Sequence, residues 1–154
     1  MYPFLGSNMK KGNKDLVNEI LKAFGEEINL QNLALNEDRS CILSVDQKHA
    51  VQLVWNEMNE SLDFFTELGD LSNDELYGYL LKSNAEWPLT KGMTLAKKES
   101  QSKIILEYQL PLLNLTKALF EKAFERFIFQ LDIWDQYLQS INQGNLPEEL
   151  AELQ

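Results

Sequence analysis

Two periods organise the hydrophobic positions of this chain. Leu16, Val17, Ile20, Leu21 and Phe24 recur at helical spacing, with Lys14, Asn18, Glu19 and Lys22 opposite, which predicts an amphipathic helix. It is expected to start at Asn13 or Lys14 and to stop near Gly25. Residues 1–13 hold Pro3, Gly6 and Gly12, show no period and are expected to be loose. Ile28 to Leu35 reads as a connector with a short extended piece at its end, and Asn36-Glu37-Asp38 as a turn. The period then falls to two. Ser40–Val45 alternates Cys41, Leu43 and Val45 against Ile42. His49–Asn56 alternates Val51, Leu53 and Trp55 against Gln52 and Val54. Ser61–Leu68 alternates Leu62, Phe64 and Leu68 against Asp63, Phe65 and Glu67. Short polar loops join these three runs, which predicts an antiparallel meander.

A second helix is predicted after Leu71. Ser72 with Glu75 three residues later is a capping box, and Leu71 and Leu76 sit at staple positions. Leu76, Tyr79, Leu80 and Ser83 form its apolar or small face. A link through Trp87-Pro88 leads to two β-prone runs, Thr94–Lys98 and Lys103–Leu110, around Glu99-Ser100-Gln101-Ser102, which reads as a hairpin. Pro111 is expected at a strand end or an edge. A long helix capped by Asn114 or Thr116 then runs to about Ile141. Its stripe (Leu119, Phe120, Ala123, Phe124, Phe127, Ile128, Leu131, Trp134, Leu138, Ile141) is widened by Phe129, Ile133 and Tyr137, so it needs cover on more than one side. The acidic stretch Leu146–Gln154 is expected to be mobile.

The order α-β-β-β-α-β-β-α implies an α+β fold, a mostly antiparallel twisted sheet of about five strands with three helices gathered on one face. A chain of 154 residues fits one domain over 1–154, with an ordered core of 14–141. More apolar surface is predicted than one small core can hide. The first helix, the sheet residues Ile42, Val54 and Phe65, and the flanks of the last helix all compete for cover, which calls for a second copy or a partner segment.

Charge narrows the partners. With 14 basic and 24 acidic residues the net charge is −10, which disfavours phosphate backbones and anionic membranes while keeping an apolar surface soluble. Cys41 is alone, so no internal disulfide forms, in keeping with a reducing compartment. No run approaches the roughly 18 apolar residues of a membrane span, and the N-terminus does not read as a secretory signal, so a cytoplasmic location is expected.

Catalytic chemistry is hard to find. His49 is the single histidine and no motif ties a nucleophile to it, so a structural role is the simpler reading. Cys41 alternates with Leu43 and Val45 and reads as a small core residue. One His and one Cys do not make a common zinc site. Asp70–Glu75 lacks the glycine and spacing of a calcium loop, and reads as a helix start enriched in acids. Lys97, Lys98 and Lys103 form a small solvated basic spot. No catalytic, cofactor or metal residue is assigned.

The stretches Leu35–Asp46, Leu80–Asn84, Gly92–Ala96 and Leu106–Leu112 are followed by the long C-terminal helix, over roughly residues 14–141. In these stretches, and in size, acidity and element order, the chain resembles the type III secretion effector chaperones of the Tir-chaperone family. Members commonly have a glycine pair before the fourth strand; here Lys91 precedes Gly92. The resemblance implies a cytoplasmic, non-catalytic homodimer in a Gram-negative bacterium. It would bind the extended N-terminal chaperone-binding segment of a secreted effector and deliver it to the export apparatus and its ATPase. By the same analogy the middle helix supplies dimer contacts, assigned to Leu76, Tyr79, Leu80 and Trp87. Effector grooves are assigned to Leu16, Ile20 and Phe24 on the first helix and to Ile42, Val54 and Phe65 on the sheet. Two other classes compete: a dimeric α+β adaptor or regulator binding a folded client, and a small-ligand enzyme, which needs a buried polar constellation.

Overall fold

A computed structural model describes residues 2–72, 74–98 and 102–153, with side chains from Gly12 onward. Five antiparallel strands form one sheet in the order β1-β2-β3-β5-β4: β1 (Ser40–Val45), β2 (His49–Asn56), β3 (Ser61–Asp70), β4 (Thr94–Lys97) and β5 (Lys103–Pro111). Two 26-residue helices, α1 (Tyr2–Glu27) and α4 (Lys117–Asn142), lie on one face. This is the α+β arrangement that the two hydrophobic periods imply.

The meander forms where strict alternation meets turn chemistry. β1 and β2 have the bounds expected from the sequence, and the turn between them puts Asp46 and Gln47 at φ of 51° and 57°, with Lys48 N donating to Val45 O at 3.0 Å. Two successive left-handed residues match the right-handed twist of a hairpin. β3 runs two residues beyond its expected end because a bulge between Glu67 and Gly69 lets it stay paired with β5 to Asp70. Pro111 ends β5 opposite Ser61, the strand-end position its missing N–H requires.

Several elements depart from the sequence reading. α1 begins at Tyr2 rather than at Asn13 or Lys14. Pro3 falls in the first turn, where no intrahelical N–H is lost, and each interior glycine costs a helix only about 1 kcal/mol. The helix ends two residues beyond Gly25, and that glycine is required by close approach: a Cβ there would meet Leu30 O at 2.5 Å and Leu33 Cβ at 2.8 Å. The second helix does not start on a Ser72 cap. Its first turn, Asp74–Leu76, is 3-10, and α2 proper is Tyr77–Ser83. The Ser72 N–H, which a capping box would pair with Glu75, donates to Asn142 Oδ1 at 2.8 Å, while Asn142 Nδ2 donates to Asp70 O at 2.7 Å. The end of α4 thus fixes this segment. Trp87–Thr90, expected as a link, forms one helical turn, α3, with Pro88 near its start. Within the acidic C-terminal stretch, Glu148–Ala151 forms the turn α5, and Leu150 is fully buried. The predicted hairpin loop at Glu99-Ser100-Gln101 lies outside the described residues.

The core sits between the sheet and the two long helices. Phe64 of β3 is fully buried and touches four rings edge-on: Phe127 at 5.5 Å, Phe120 and Tyr108 at 6.0 Å and Phe124 at 6.1 Å between centroids. Phe24 of α1 joins through Phe120 and Phe124, both at 5.2 Å. α4 is capped as expected, Thr116 Oγ1 accepting from Leu119 N at 3.2 Å. At its start Lys117 bridges Glu27 of α1 and Glu121. Cys41 lies in the core, and burial pushes its thiol up to about 11, so the thiol is protonated and inert.

Truncating Phe64 to Ala should lower stability by ~3–5 kcal/mol, because it removes the ring shared by β3, β5 and α4; urea unfolding at neutral pH measures this. Cys41 should resist alkylation in the native protein and react at once in denaturant.

Candidate functional site

Both long helices lie on the same side of the sheet, so they leave its opposite face uncovered. Pairing register arranges that face in rows. One runs Ser40–Val54–Asp63–Gln109, the next Ile42–Gln52–Phe65–Glu107–Thr94, and a third Glu67–Ile105–Ala96. Ile42 is 65% exposed. Val54, Phe65 and Ile105 are half-buried. Ile42, Phe65 and Ile105 line a concavity of 430 Å³ whose rim carries Lys48, Lys98 and Glu67. A second hollow of 360 Å³, beside Phe65, is lined by Asp63, Glu107 and Thr94.

The two sheet edges differ. On β1, Arg39 O accepts from Trp55 N at 2.9 Å and Val45 O from Lys48 N, so the odd-numbered residues face β2. Ser40 points outward: its O accepts from Asn36 N at 2.8 Å and its N donates to Asp38 Oδ1 at 3.1 Å. The alternation of an antiparallel strand then directs the backbone groups of Ile42 and Ser44 outward as well. On β4 the outward groups of Leu95 are already matched. Asn84 Nδ2 donates to Leu95 O and Asn84 Oδ1 accepts from Leu95 N, both at 2.8 Å. One side-chain amide at the end of α2 thus takes the place of a neighbouring strand. β1 is the open edge, and exposed Ile42 lies on it.

Asp63 is buried and accepts from Ser61 Oγ at 2.6 Å and Asn56 Nδ2 at 3.0 Å. Burial, and then the Asp63 charge, hold the Glu107 carboxyl above the ordinary glutamate range. His49 Nε2 lies 3.7 Å from Asp135 Oδ2, which also takes Lys48 Nζ at 2.9 Å, tying the β1–β2 turn to α4. Among the described residues no cluster of three or more His, Cys, Asp or Glu fits a metal ion, and no helix is long and apolar enough to cross a membrane.

The residues singled out from sequence fall into separate places. Ile42, Val54 and Phe65 share the outer sheet face. Ile20 and Phe24 are buried in the core of the same protomer and Leu16 is half-buried against it, so substituting Ile20 or Phe24 tests the fold before it tests binding. Of the middle-helix set, Leu80 is buried, Leu76 and Tyr79 are half-buried, and Trp87 is 74% exposed. Sequence reasoning passed over Leu81, equally exposed, and Ile105, whose neighbours gave it no isolated signal. It also passed over Asn84, because nothing in a helix-end asparagine distinguishes a clamp on a distant strand from a local turn.

The family model described as the Tir chaperone protein (CesT) family matches residues 19–135. The chain belongs to this family. No curated protein matches it. Solved structures similar to this Tir-chaperone-family protein include a chain of the ExsC–ExsE complex, at 22% identity and a TM-score of 0.74 over 81% of this chain and 95% of that one. A chain of the HopA1–SchA chaperone–effector complex aligns at 17% identity and TM-score 0.67, covering 77% and 91%. A chain of the structure of the Yersinia pestis type III secretion chaperone SycH in complex with a stable fragment of YscM2 gives 21%, 0.59, 76% and 98%. At these identities the likeness is one of fold.

Because the folded-state pKa of Glu107 is raised, its ionisation opposes folding, and stability falls as pH rises from the unfolded value near 4.5 through the folded one. Glu107→Gln should therefore be more stable than the parent at neutral pH and should lose that advantage below the unfolded pKa; thermal melts across pH 3–8, as an approximate range, check it.

Proposed function

We propose that this protein is a type III secretion chaperone whose client is the extended N-terminal segment of a secreted effector. The observation that carries the reading is the open β1 edge, with outward backbone groups at Ile42 and Ser44 beside the exposed Ile42 side chain and the Phe65–Ile105 concavity. An extended segment added there gains main-chain hydrogen bonds, and alternate side chains reach the apolar rows of the outer face. Family membership, and the chaperone–effector complex named for one fold relative, support it. The client stays unfolded and export-competent while held, and is passed to the export apparatus and its ATPase. The protein acts in the cytoplasm of a Gram-negative bacterium, as a non-catalytic homodimer. Trp87 and Leu81, the exposed apolar groups of α2 and α3, form the dimer contact with Tyr79 and Leu76, while Leu80 supports it from the core.

The test uses the N-terminal segment of an effector encoded beside this gene. Ile42→Asp with Phe65→Asp should weaken co-purification by at least about tenfold, since apolar anchors dominate such contacts. Ser44→Pro should weaken it with a single lost N–H, and amide exchange at Ile42 and Ser44 should slow on binding. Unchanged binding in both variants would overturn the reading. Capture of a folded protein instead of an extended segment would favour an adaptor.

A further inference from the structure

The outward face of α4 takes no part in the sheet surface or in the α2–α3 surface. Leu119, Lys122, Arg126, Phe129 and Ile133 follow one another at steps of three and four residues, the spacing of a coiled-coil seam. Leu119 is 49% and Phe129 63% exposed, Ile133 is half-buried, and both cations are exposed. The seam spans about 21 Å, some four turns. Several other cations are engaged: Lys48 and Lys103 face carboxylates and Lys97 lies over the Tyr77 ring. Among the described residues, Lys122 and Arg126 have neither kind of partner, and standing one turn apart they repel each other. Glu125 and Asp132 lie on the other flank of Phe129.

We propose that this seam docks an acidic amphipathic helix of a partner protein. The partner's apolar residues pack on Leu119, Phe129 and Ile133, and its carboxylates lie along the Lys122–Arg126 flank. Glu125 and Asp132 repel the same carboxylates from the other flank and so fix which way the helix leans. The proposal does not rest on the client reading, which uses the opposite side of the molecule.

The whole-molecule field makes the test sharp. At a net charge of −10, long-range attraction favours a basic ligand over an acidic one. Two labelled helical peptides of about 21 residues share a leucine seam and differ only in carrying Glu or Lys beside it. Measured by fluorescence anisotropy with the full chain, the Glu peptide should bind at least about tenfold tighter. Lys122→Glu with Arg126→Glu should invert that order, Phe129→Ser should weaken both peptides, and Phe65→Asp on the sheet should leave both unchanged. Lys122→Gln with Arg126→Gln serves if charge reversal impairs folding, which circular dichroism reads; it should abolish the preference. Tighter binding of the Lys peptide, or a ranking indifferent to the α4 variants, overturns the proposal. So does sedimentation showing that Phe129→Ser removes self-association, since the occupant is then a second copy.

Discussion

The packing of Phe64 against α4 is the contact on which the remaining architecture depends. β3 is the central strand, and Phe64 points from it into a group of rings contributed by both long helices and by β5. Edge-to-face contacts at these separations add to the area each ring buries, so the cluster fixes position as well as supplying cohesion. Once α4 is seated on Phe64, Phe24 of α1 has a place beside Phe120 and Phe124, and both helices are committed to one side of the sheet. The bare outer face follows from this: helices gathered around one aromatic centre leave the opposite rows without cover.

Much of this was legible in the residues. Alternation from Ser40 to Leu68 located three strands because two short polar turns separate apolar positions of strict period two. Thr116 announced the start of α4 through its hydroxyl. The misses have physical causes. The start of α2 was set by Asn142, which is 70 residues away and takes the Ser72 N–H; a local capping rule has no access to that competitor. The turn α5 depends on one residue, Leu150, finding the surface of α2, and a nine-residue acidic stretch carries no period to announce it.

The candidate surface was legible in half. Alternation put Ile42, Val54 and Phe65 on one face, and the structure brings them to neighbouring rows. It left open which face the helices take, because both faces of these strands carry large apolar residues. The α1 stripe is an instance of the same ambiguity. A helix face of Leu16, Ile20 and Phe24 reads alike whether it meets a ligand or the aromatic centre of its own protomer, and here Phe24 meets Phe120.

The Asn84 clamp has a consequence for how copies of this chain meet. A sheet with two free borders can stack head to tail, border one against border two, and such contacts propagate into filaments when the operation does not close. With the outward groups of Leu95 already matched by an amide of its own chain, that succession loses part of its second surface. A strand laid along β1 therefore finds the counterpart border blocked at Leu95, which works against head-to-tail growth of the sheet.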